Sequence, residues 1–266
     1  MGYIDGLKFV AKHWYHYFQM LPKRNKKKIL DFKNRHAGQK IFCLGAGPSL
    51  KKENLSLLNN QVVIFTNSSY KLLNTVSPKT SYWLVQDTHR VKEFSDVDTS
   101  QFSATFKSFH TLNYLHPNLY ESCIVLWPEI ILKQRKFIPY PEVVCNRLFF
   151  SENLDTKIDL TGSSVIFSSV IFSAIQLAYY LGSDKIALLG VDMYHSSDLK
   201  SAYFDYSPNR IYSEPATQEE YVSKRKPYFK FYRDFLSTKG INLYNCTCET
   251  REDELDKLSL EDFVNL

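Results

Sequence analysis

The chain has 266 residues, of which 44% are hydrophobic and 15% aromatic, so it is long enough to bury one sizeable core. No apolar run approaches the roughly 20 residues that a membrane-spanning helix needs, and the start carries no signal-peptide pattern. The five cysteines are odd in number and scattered, which is typical of a reducing compartment rather than of a disulfide framework. We therefore expect a cytoplasmic protein.

The net charge of +5 is unevenly distributed. Residues 1–40 carry ten lysines and arginines against two aspartates, a net +8, so the remaining 226 residues sum to −3. A near-neutral body with a basic arm is not the pattern of a nucleic-acid-binding protein, and we expect no nucleic-acid partner.

Apolar residues recur at helical spacing near the start and form one face: Ile4, Leu7, Val10, Trp14, Phe18 and Leu21. Pro22 and the basic run KRNKKK at 23–28 follow. Such a segment suits an anionic membrane surface, and it equally suits packing on the body of the protein or on another subunit. We define residues 1–39 as a basic amphipathic arm and 40–266 as one domain. Peripheral contact with the inner membrane through residues 1–28 and homo-oligomerisation both stay open.

From residue 40 onward, short apolar runs alternate with helical segments. This pattern predicts a Rossmann-like α/β fold, a mostly parallel sheet with helices on both faces. Strands are predicted at 40–44, 62–66, 82–86, 123–127, 185–189 and 241–244. Helices are predicted after Ser49, Ser69, Ser163 and Thr217, and Gly182 is predicted to cap the end of the third. The irregular stretches 128–160 and 195–216 are interpreted as an insertion and as a lid over the site.

The first predicted strand ends in a glycine-rich turn, GAGPS at 45–49. A glycine turn that leads into a helix N-terminus gathers backbone N–H groups and the positive end of the helix dipole, which predicts an anion site for a nucleotide phosphate. Leu50 stands where a dinucleotide fold needs a third glycine, and no Gly-Lys-Ser/Thr follows for a P-loop. Neither common nucleotide fingerprint therefore fits.

Polar residues fall at or just after the ends of three predicted strands: Asn67, Asp87 and Asp192. Ligands of parallel sheets bind beyond the carboxyl ends of strands, so these residues suit contact with a base or ribose, although each also suits a helix cap or turn. Asp96-Val97-Asp98 has the spacing of a sugar-nucleotide metal site but follows no apolar strand, so we predict a solvated loop and no metal. Cys246 and Cys248 are interpreted as ordinary thiols, because no second cysteine pair follows them.

Several of these segments together resemble a known family: GAGPSL at 45–50, Asn67, Asp87, QLAYYLGSDKIALLGVDMY at 176–194 and AYFD at 202–205. They resemble the bacterial lipooligosaccharide sialyltransferases of glycosyltransferase family 42. They also resemble the related MptE-like domain shared by flagellin nonulosonate transferases and an archaeal hydroxymethylpterin pyrophosphokinase. The resemblance spans about residues 40–245. It implies a Rossmann-like domain with a lid that binds CMP-sialic acid without a metal and transfers the sugar with inversion.

The resemblance also implies roles for individual residues. Binding of the donor nucleotide would fall to Gly45, Ala46, Gly47, Pro48, Ser49, Asn67, Asp87 and Asp192, and the grip on the sugar carboxylate to Ser163 and Ser164. The sialyltransferases have Asn at the positions of Ala46 and Asp87. Tyr194 matches a tyrosine that hydrogen-bonds the departing phosphate, on which charge grows in the transition state, and Tyr203 falls near its partner.

The general base is the main departure from the family, which uses a lid histidine shortly before the helix that starts near Thr217. No histidine occurs between Ser196 and Leu266, although a positioned base accelerates such a reaction by roughly 10²–10⁴-fold. The alternatives are His195, His89, His110, Glu214 and Glu219. The predicted catalytic group is therefore Tyr194, Tyr203 and His195.

The sequence thus predicts a metal-independent, inverting glycosyltransferase that moves a sialic-acid-like sugar acid from a CMP donor to a bacterial surface glycan of lipooligosaccharide or capsule type. Its partners would be the nucleotide-sugar donor and a glycan or glycolipid acceptor, with no further cofactor. Two alternatives stay open. One is a nucleotide- and Mg²⁺-dependent phospho- or pyrophosphotransferase with Asp87 and Asp192 as acidic ligands, and the other is a catalytically degenerate binding module.

Overall fold

A computed structural model describes residues 23–86, 94, 96–108, 123–126, 160, 169–193, 204, 218–223 and 225–266. Within them lie eight strands: β1 Lys40–Leu44, β2 Val62–Thr66, β3 Thr80–Val85, β4 Ala104–Ser108, β5 Cys123–Leu126, β6 Lys185–Leu189, β7 Asn242–Asn245 and β8 Asp256–Lys257. They form one sheet in the order β5-β4-β3-β2-β1-β6-β7-β8. Every neighbouring pair of these strands is parallel. The predicted parallel sheet is confirmed.

Helices lie on both faces of this sheet, as predicted. The α-helices in the described residues are α1 Lys23–Leu30, α2 Val170–Tyr180, α3 Gln218–Ser223, α4 Lys226–Thr238 and α5 Leu260–Asn265. Short 3₁₀ helices are formed by Pro48–Lys51, Leu55–Leu58, Asn67–Asn74 and Thr99–Gln101. One apolar layer joins α1, α2 and α4 to the sheet, and a second layer on the opposite face contains α5 and the 3₁₀ helices that follow β1 and β2.

The central strand β1 shows why the sequence folds in this way. Ile41 and Cys43 belong to the first apolar layer, and Phe42 and Leu44 belong to the second. All four side chains are fully buried. A strand that is covered on both faces has no polar alternation, so an unbroken apolar run is what a central parallel strand requires.

Three strands have the predicted bounds, namely β1, β2 and β6, and β3, β5 and β7 differ by at most two residues at an end. The helix predicted after Ser49 is a 3₁₀ helix of four residues. α1, β4, β8 and α5 are additional elements that the sequence patterns do not predict. Residues 1–22 of the arm lie outside the described residues, as do residues 128–159 of the insertion and, apart from Phe204, the lid at 195–216. In the described part of the chain, no helix is long and apolar enough to cross a membrane.

The segment that leads into β1 packs on the C-terminal end of α2. Gly182 has φ +88°, and its N–H donates to the Tyr179 carbonyl while the Ser183 N–H donates to Ala178, the pattern of a Schellman cap. The predicted cap is therefore confirmed. The N–H groups of Asn34, His36 and Gly38 donate in turn to the last carbonyls of this helix end, at Tyr180, Leu181 and Gly182. The basic segment is thus attached to the body of the protein at its C-terminal end.

Candidate functional site

The strand order places a topological switch point between β1 and β6. From β1 the chain proceeds through β2, β3, β4 and β5 in one direction, and β6, β7 and β8 extend the sheet in the other. Connections leave the two central strands on opposite sides, so a crevice forms at their carboxyl ends. Ligands of open α/β sheets bind in that crevice. The glycine turn follows β1 and Asp192 follows β6, so both lie at this point.

The glycines of the turn are required by a close approach of two backbones. The Gly45 N–H donates to the Leu189 carbonyl over 2.7 Å, and the Gly47 N–H donates to the Gly190 carbonyl over 2.9 Å. A Cβ atom at position 45 would overlap the Gly190 carbonyl oxygen. Gly190 itself has φ +65° and lies against the Leu50 side chain. The turn therefore brings the ends of β1 and β6 into direct contact.

Asp192 closes the turn from the β6 side. Its Oδ1 accepts the Ser49 backbone N–H over 2.9 Å, and its Oδ2 accepts the Ser49 hydroxyl over 2.8 Å. The carboxylate lies where a Cβ at Gly47 would be, so only glycine leaves room for it. The protein's own carboxylate thus takes the Ser49 N–H that the sequence interpretation gave to a phosphate.

The Asp192 carboxyl is only 6% exposed. Burial raises its pKa above the ordinary value and the nearby Glu249 charge raises it further, whereas the two hydrogen bonds from Ser49 act in the opposite direction. A buried carboxylate that accepts two hydrogen bonds has a fixed orientation, so Asp192 holds the Ser49 end of the turn in place.

The loop after β7 holds the backbone of Val191 and Asp192 in place through three hydrogen bonds. Thr247 Oγ1 accepts the Val191 N–H, the Thr250 hydroxyl donates to the Val191 carbonyl, and the Arg251 N–H donates to the Asp192 carbonyl. Cys246 and Cys248, which flank Thr247, are free thiols. Burial raises their pKa values to about 12 and about 11. Both are thus protonated at neutral pH, in agreement with their interpretation as ordinary thiols.

Asn67 lies at the carboxyl end of β2, next to the glycine turn. Its backbone has φ +44°, its carbonyl accepts the Trp83 indole N–H over 2.8 Å, and its side-chain Oδ1 accepts the Gln86 N–H over 3.0 Å. The Gln86 side chain accepts a hydrogen bond from the Ser173 hydroxyl in the first turns of α2, over 2.8 Å. Gln86 and Ser173 thus adjoin the site, although the sequence patterns do not predict them. Their only sequence signal is the position of Gln86 directly before Asp87.

The lid and the turn are connected through one residue that the structure describes. The Phe204 N–H donates to the Ala46 carbonyl over 3.1 Å, and the Phe204 side chain packs on the second apolar layer. Met193 and Gln218 flank the lid in the sequence, and the Gln218 side-chain amide donates to the Met193 carbonyl over 2.7 Å. Met193 has φ +52°, an uncommon conformation for a residue with a side chain. Phe204 of the AYFD segment is thereby placed beside the glycine turn.

Six predicted site residues lie outside the described residues: Asp87, Ser163, Ser164, Tyr194, His195 and Tyr203. The alternative bases His89, His110 and Glu214 do so as well, whereas Glu219 is exposed on α3. Gly45, Ala46, Gly47, Pro48, Ser49, Asn67 and Asp192 are brought together at the carboxyl edge of β1, β2 and β6. Their roles toward a ligand stay predictions.

The Asp96-Val97-Asp98 triplet has a structural role at Asp98. The Asp98 carboxylate accepts the Ser100 N–H over 2.9 Å at the start of the 3₁₀ helix Thr99–Gln101. Hydrogen bonds from Ser100 hold the pKa of this carboxyl below its ordinary value. Among the described residues, no group of three or more His, Cys, Asp or Glu side chains is arranged to hold a metal ion.

The sequence matches no family model and no curated protein. Among solved structures, the chain is similar to the sialyltransferase CstII from Campylobacter jejuni in complex with cytidine-5′-monophosphate, with 16% identity, coverage of 84% of this chain and 86% of that one, and a TM-score of 0.49. It is similar to the monofunctional α-2,3-sialyltransferase Cst-I from the same organism, with 16% identity, coverage of 80% and 78%, and a TM-score of 0.48. CstII with CMP-3FNeuAc gives 17% identity, coverage of 83% and 85%, and a TM-score of 0.44. At these identities and TM-scores the likeness assigns no activity to this chain.

Proposed function

We propose that the chain is a glycosyltransferase that moves a sialic-acid-like sugar acid from a CMP-activated donor to a bacterial surface glycan. The observation that carries the proposal is the convergence of the glycine turn, Asn67 and Asp192 at the switch point of a parallel sheet. Nucleotides bind at this place in doubly wound folds. The same positions carry the resemblance to the lipooligosaccharide sialyltransferases.

In this proposal an acceptor hydroxyl attacks the anomeric carbon of the sugar, the bond from that carbon to the phosphate oxygen breaks, and CMP leaves. Negative charge then grows on the phosphate oxygen, so O–H donors aimed at it lower the barrier. Tyr194 and Tyr203 are the proposed donors. Tyr194 directly follows Met193, and Tyr203 directly precedes Phe204, whose N–H bonds to the glycine turn. Neither tyrosine is therefore far along the chain from the crevice.

The proposed base that takes the proton of the acceptor hydroxyl is His195, the neighbour of Tyr194. Ser163 and Ser164 are proposed to bind the sugar carboxylate, and Asp87 to contact the nucleoside. The two tyrosine O–H groups are the proposed donors that stabilise the leaving phosphate, so we propose a reaction that needs no metal ion. Direct displacement of the phosphate by the acceptor hydroxyl inverts the anomeric carbon.

The Mg²⁺-dependent phosphotransferase is the less favoured alternative because of the contacts of Asp192. Both of its oxygens accept hydrogen bonds from Ser49. Each oxygen keeps a second lone pair, but a residue that is only 6% exposed gives little access to a hydrated magnesium ion. We therefore favour glycosyl transfer, and the phosphotransferase and the degenerate binding module become outcomes of the test below.

We further propose that the protein acts in the cytoplasm at the inner face of the bacterial membrane, where lipid-linked acceptors lie. Residues 1–28 combine an apolar stripe with a run of cations, which is the composition of a segment that binds an anionic surface. A homo-oligomer that uses the same stripe as its interface is the competing proposal.

The direct test is a thermal-shift and calorimetry panel of CMP, CDP, UDP, GDP and ATP, each with and without Mg²⁺. The proposal predicts that CMP binds and raises the melting temperature equally in Mg²⁺ and in EDTA. Stabilisation by ATP only in the presence of Mg²⁺ would instead support the phosphotransferase. Binding of CMP without hydrolysis of any CMP-sugar acid would support the degenerate module, and no binding of CMP would reject the proposal.

A further inference from the structure

The central strands of the sheet begin on the side of the molecule that lies opposite the crevice. β1, β2, β3, β6 and β7 are parallel, so their first residues form a row in which each strand lies about 4.8 Å from the next. α2 ends shortly before β6 and α4 ends shortly before β7, so the C-terminal ends of both helices lie on this side as well. The candidate site lies at the other ends of the same strands.

Exposed cations line this side of the molecule, namely Lys33, Arg35, Lys79 and Lys239. Lys33 and Arg35 lie in the segment that leads into β1. Lys79 directly precedes β3, and Lys239 lies between α4 and β7. Besides burial, the charges of Arg35 and Lys79 lower the pKa of His36, so both cations lie close to its ring. Residues 27–39 carry four lysines and arginines against one aspartate, so the positive charge of the 23–28 run continues onto the folded body.

The ends of the helices do not account for these cations. Cations near a helix C-terminus offset the negative end of the helix dipole. That role belongs to Lys40 and Lys185, whose ammonium groups donate to the carbonyls of Val264 and Leu266 at the end of α5, over 2.7 and 3.1 Å. Lys79 instead lies beyond the last turn of the 3₁₀ helix that precedes β3. Its charge therefore has no evident role within the fold.

An exposed apolar side chain accompanies the cations. Leu30, the last residue of α1, is 46% exposed, and in the described part of the chain the other exposed large hydrophobic residue is Leu266. The carbonyl of Ile29 accepts the hydroxyl of Tyr180 at the end of α2, which places Leu30 at the amino ends of the strands. Leu266 lies on the same side, where its carbonyl accepts Lys185. Cations around an exposed apolar side chain are the composition of a surface that binds a membrane interface.

We propose that this amino-end surface, formed by Leu30, Lys33, Arg35, Lys79 and Lys239, is the face with which the folded domain lies on an anionic phospholipid membrane. The cations bind the headgroup layer, and Leu30 enters the boundary between headgroups and acyl chains. The inference rests on the proposed membrane association, and it extends the contact from the arm to the body of the protein. It also sets an orientation, because the crevice at the opposite ends of the strands then faces the solvent.

The test is co-sedimentation with vesicles of phosphatidylglycerol and phosphatidylcholine at low salt, for two triple variants of equal net charge. The surface variant combines Lys33→Gln, Lys79→Gln and Lys239→Gln. The control variant removes three cations that are equally exposed, by Lys51→Gln, Lys230→Gln and Lys257→Gln. These three belong to the carboxyl half of the molecule: Lys51 follows β1, Lys230 lies in the first turns of α4, and Lys257 pairs with the last residue of β7.

Each cation near an anionic surface contributes about fivefold to the partition coefficient. We therefore expect the surface variant to bind about 100-fold more weakly than the wild type, and the control variant to stay within about twofold. The net charge is the same in both variants, so attraction by the charge of the whole molecule affects them equally. Equal weakening of the two variants, or no weakening of the surface variant, overturns the inference.

Two further variants cover the case in which the surface variant does not fold. Arginine at positions 33, 79 and 239 keeps the charge, and we expect wild-type binding of vesicles. Leu30→Ser removes the apolar contact, and we expect a loss of about 3–10-fold that high salt does not remove. Loss of binding in the arginine variant with an unchanged melting temperature, or wild-type binding by Leu30→Ser, contradicts the proposal.

Calorimetry of CMP with vesicle-bound protein tests the orientation. Because the crevice faces the solvent, we expect the Kd for CMP to stay within about twofold when vesicles are added. Vesicles that prevent CMP binding would place the crevice against the lipid and overturn the proposal. A surface variant that loses affinity for duplex DNA but binds vesicles like the wild type would assign the surface to a nucleic acid and likewise overturn it.

Failure of the inference differs from failure of the proposals on which it depends. Wild-type protein that does not bind anionic vesicles would reject the membrane association, and this inference with it. Wild-type binding that the surface variant retains would reject the inference alone. The proposed sugar transfer is tested separately, by CMP binding and CMP release without vesicles.

Discussion

Asp192 and Ser49 are 143 residues apart in the chain and are joined by two hydrogen bonds, of 2.9 and 2.8 Å. The pair explains two features of the sequence at once, because Gly47 must lack a side chain to admit the carboxylate and Ser49 must offer a hydroxyl to it. A site organised in this way does not depend on a ligand to fix the glycine turn. The same contact makes the turn less open to a free anion than its sequence suggests.

Replacement of Asp192 tests this contact at the level of stability. Asp192→Ala leaves the buried Ser49 N–H and hydroxyl without their acceptor, and we expect a loss of about 1–3 kcal/mol in the free energy of unfolding. Asp192→Asn keeps an oxygen for the N–H and should retain most of the wild-type stability. Urea unfolding measures both variants. Equal stabilities of the Ala and Asn proteins would show that the hydrogen bonds to Ser49 contribute little.

The buried side chain of His36 supplies a second prediction, on the pH dependence of stability. Its Nε2 lies 2.7 Å from the Tyr82 hydroxyl and its Nδ1 lies 3.3 Å from Gln39 Oε1, and the side chain is buried. Burial lowers its pKa from 6.5, and the charges of Arg35 and Lys79 lower it further, although the Gln39 hydrogen bond acts in the opposite direction. The folded state therefore favours the neutral ring.

The sign of the pH effect follows from this shift. Below pH 6.5 the unfolded chain binds a proton that folded His36 does not, so the protein should lose stability as the pH falls from 6.5 toward the lowered folded pKa. His36→Gln removes this contribution, and the difference in unfolding free energy between pH 7.5 and pH 5.5 should become smaller. The other six histidines are the same in both proteins, so an unchanged difference would contradict the assignment.

At the scale of elements, the C-terminal ends of α2 and α4 form a matched pair. Both end in Schellman caps, with Gly182 at φ +88° and Gly240 at φ +72°. They differ in their surroundings, because a Cβ at position 182 would lie 2.9 Å from the Asn34 Cα, whereas nothing lies within 4 Å of a Cβ at position 240. The first cap is also a docking site for the segment before β1.

Alanine substitutions at the two caps separate backbone strain from docking. Both variants place a residue with a side chain in the left-handed region, at a cost of about 1–2 kcal/mol. Gly182→Ala must also displace the Asn34 backbone, so we expect it to lose about 1–3 kcal/mol more than Gly240→Ala. Thermal or urea unfolding of both proteins gives the difference. If both lose the same free energy, the segment that contains Asn34 is not rigidly docked.

The predictability of each element follows from its burial. β1, β2 and β6 are apolar on both faces and end at glycine or polar residues, so their sequence alone determines their bounds. The sequence does not predict β4, ATFKS, because Thr105 and Lys107 interrupt its apolar pattern, although both side chains are buried. The Lys107 ammonium lies 5.7 Å from the centre of the Trp83 ring. This contact joins two strands, so no local sequence pattern predicts it. β8 has two residues, which is too short for any periodicity.

The candidate site likewise has some features that the sequence predicts and others that it does not. The position of Gly45, Gly47 and Asn67 at strand ends was predictable, because strand ends follow from the apolar runs. The pairing of Asp192 with Ser49 and the hydrogen bond from Trp83 to Asn67 were not, because they join residues from different strands whose contact depends on the strand order. The strand order itself, with its switch point between β1 and β6, has no local signature.

At the scale of the whole molecule, the uneven charge leads to a prediction about the arm. Co-sedimentation with anionic vesicles should be strong at low salt and should fall steeply with ionic strength, with about 1 kcal/mol contributed by each cation near the surface. Replacement of the five cations of the 23–28 run by Gln should abolish it, whereas Lys230→Gln with Lys257→Gln, both exposed on the body, should not. Equal binding of neutral vesicles, or no effect of the five substitutions, would favour a protein-packing role for the arm.

The proposed reaction is the transfer of a sugar from a CMP donor at the switch point of the sheet. The most direct measurement is the release of CMP from a CMP-sialic acid by the full chain in EDTA, with Tyr194→Phe as the matched variant. We expect CMP to be released without added metal and Tyr194→Phe to lower the rate by about 10²-fold or more, since one O–H donor to the developing charge is lost. No release of CMP by wild-type protein that binds CMP, or a rate that Tyr194→Phe leaves unchanged, would contradict it.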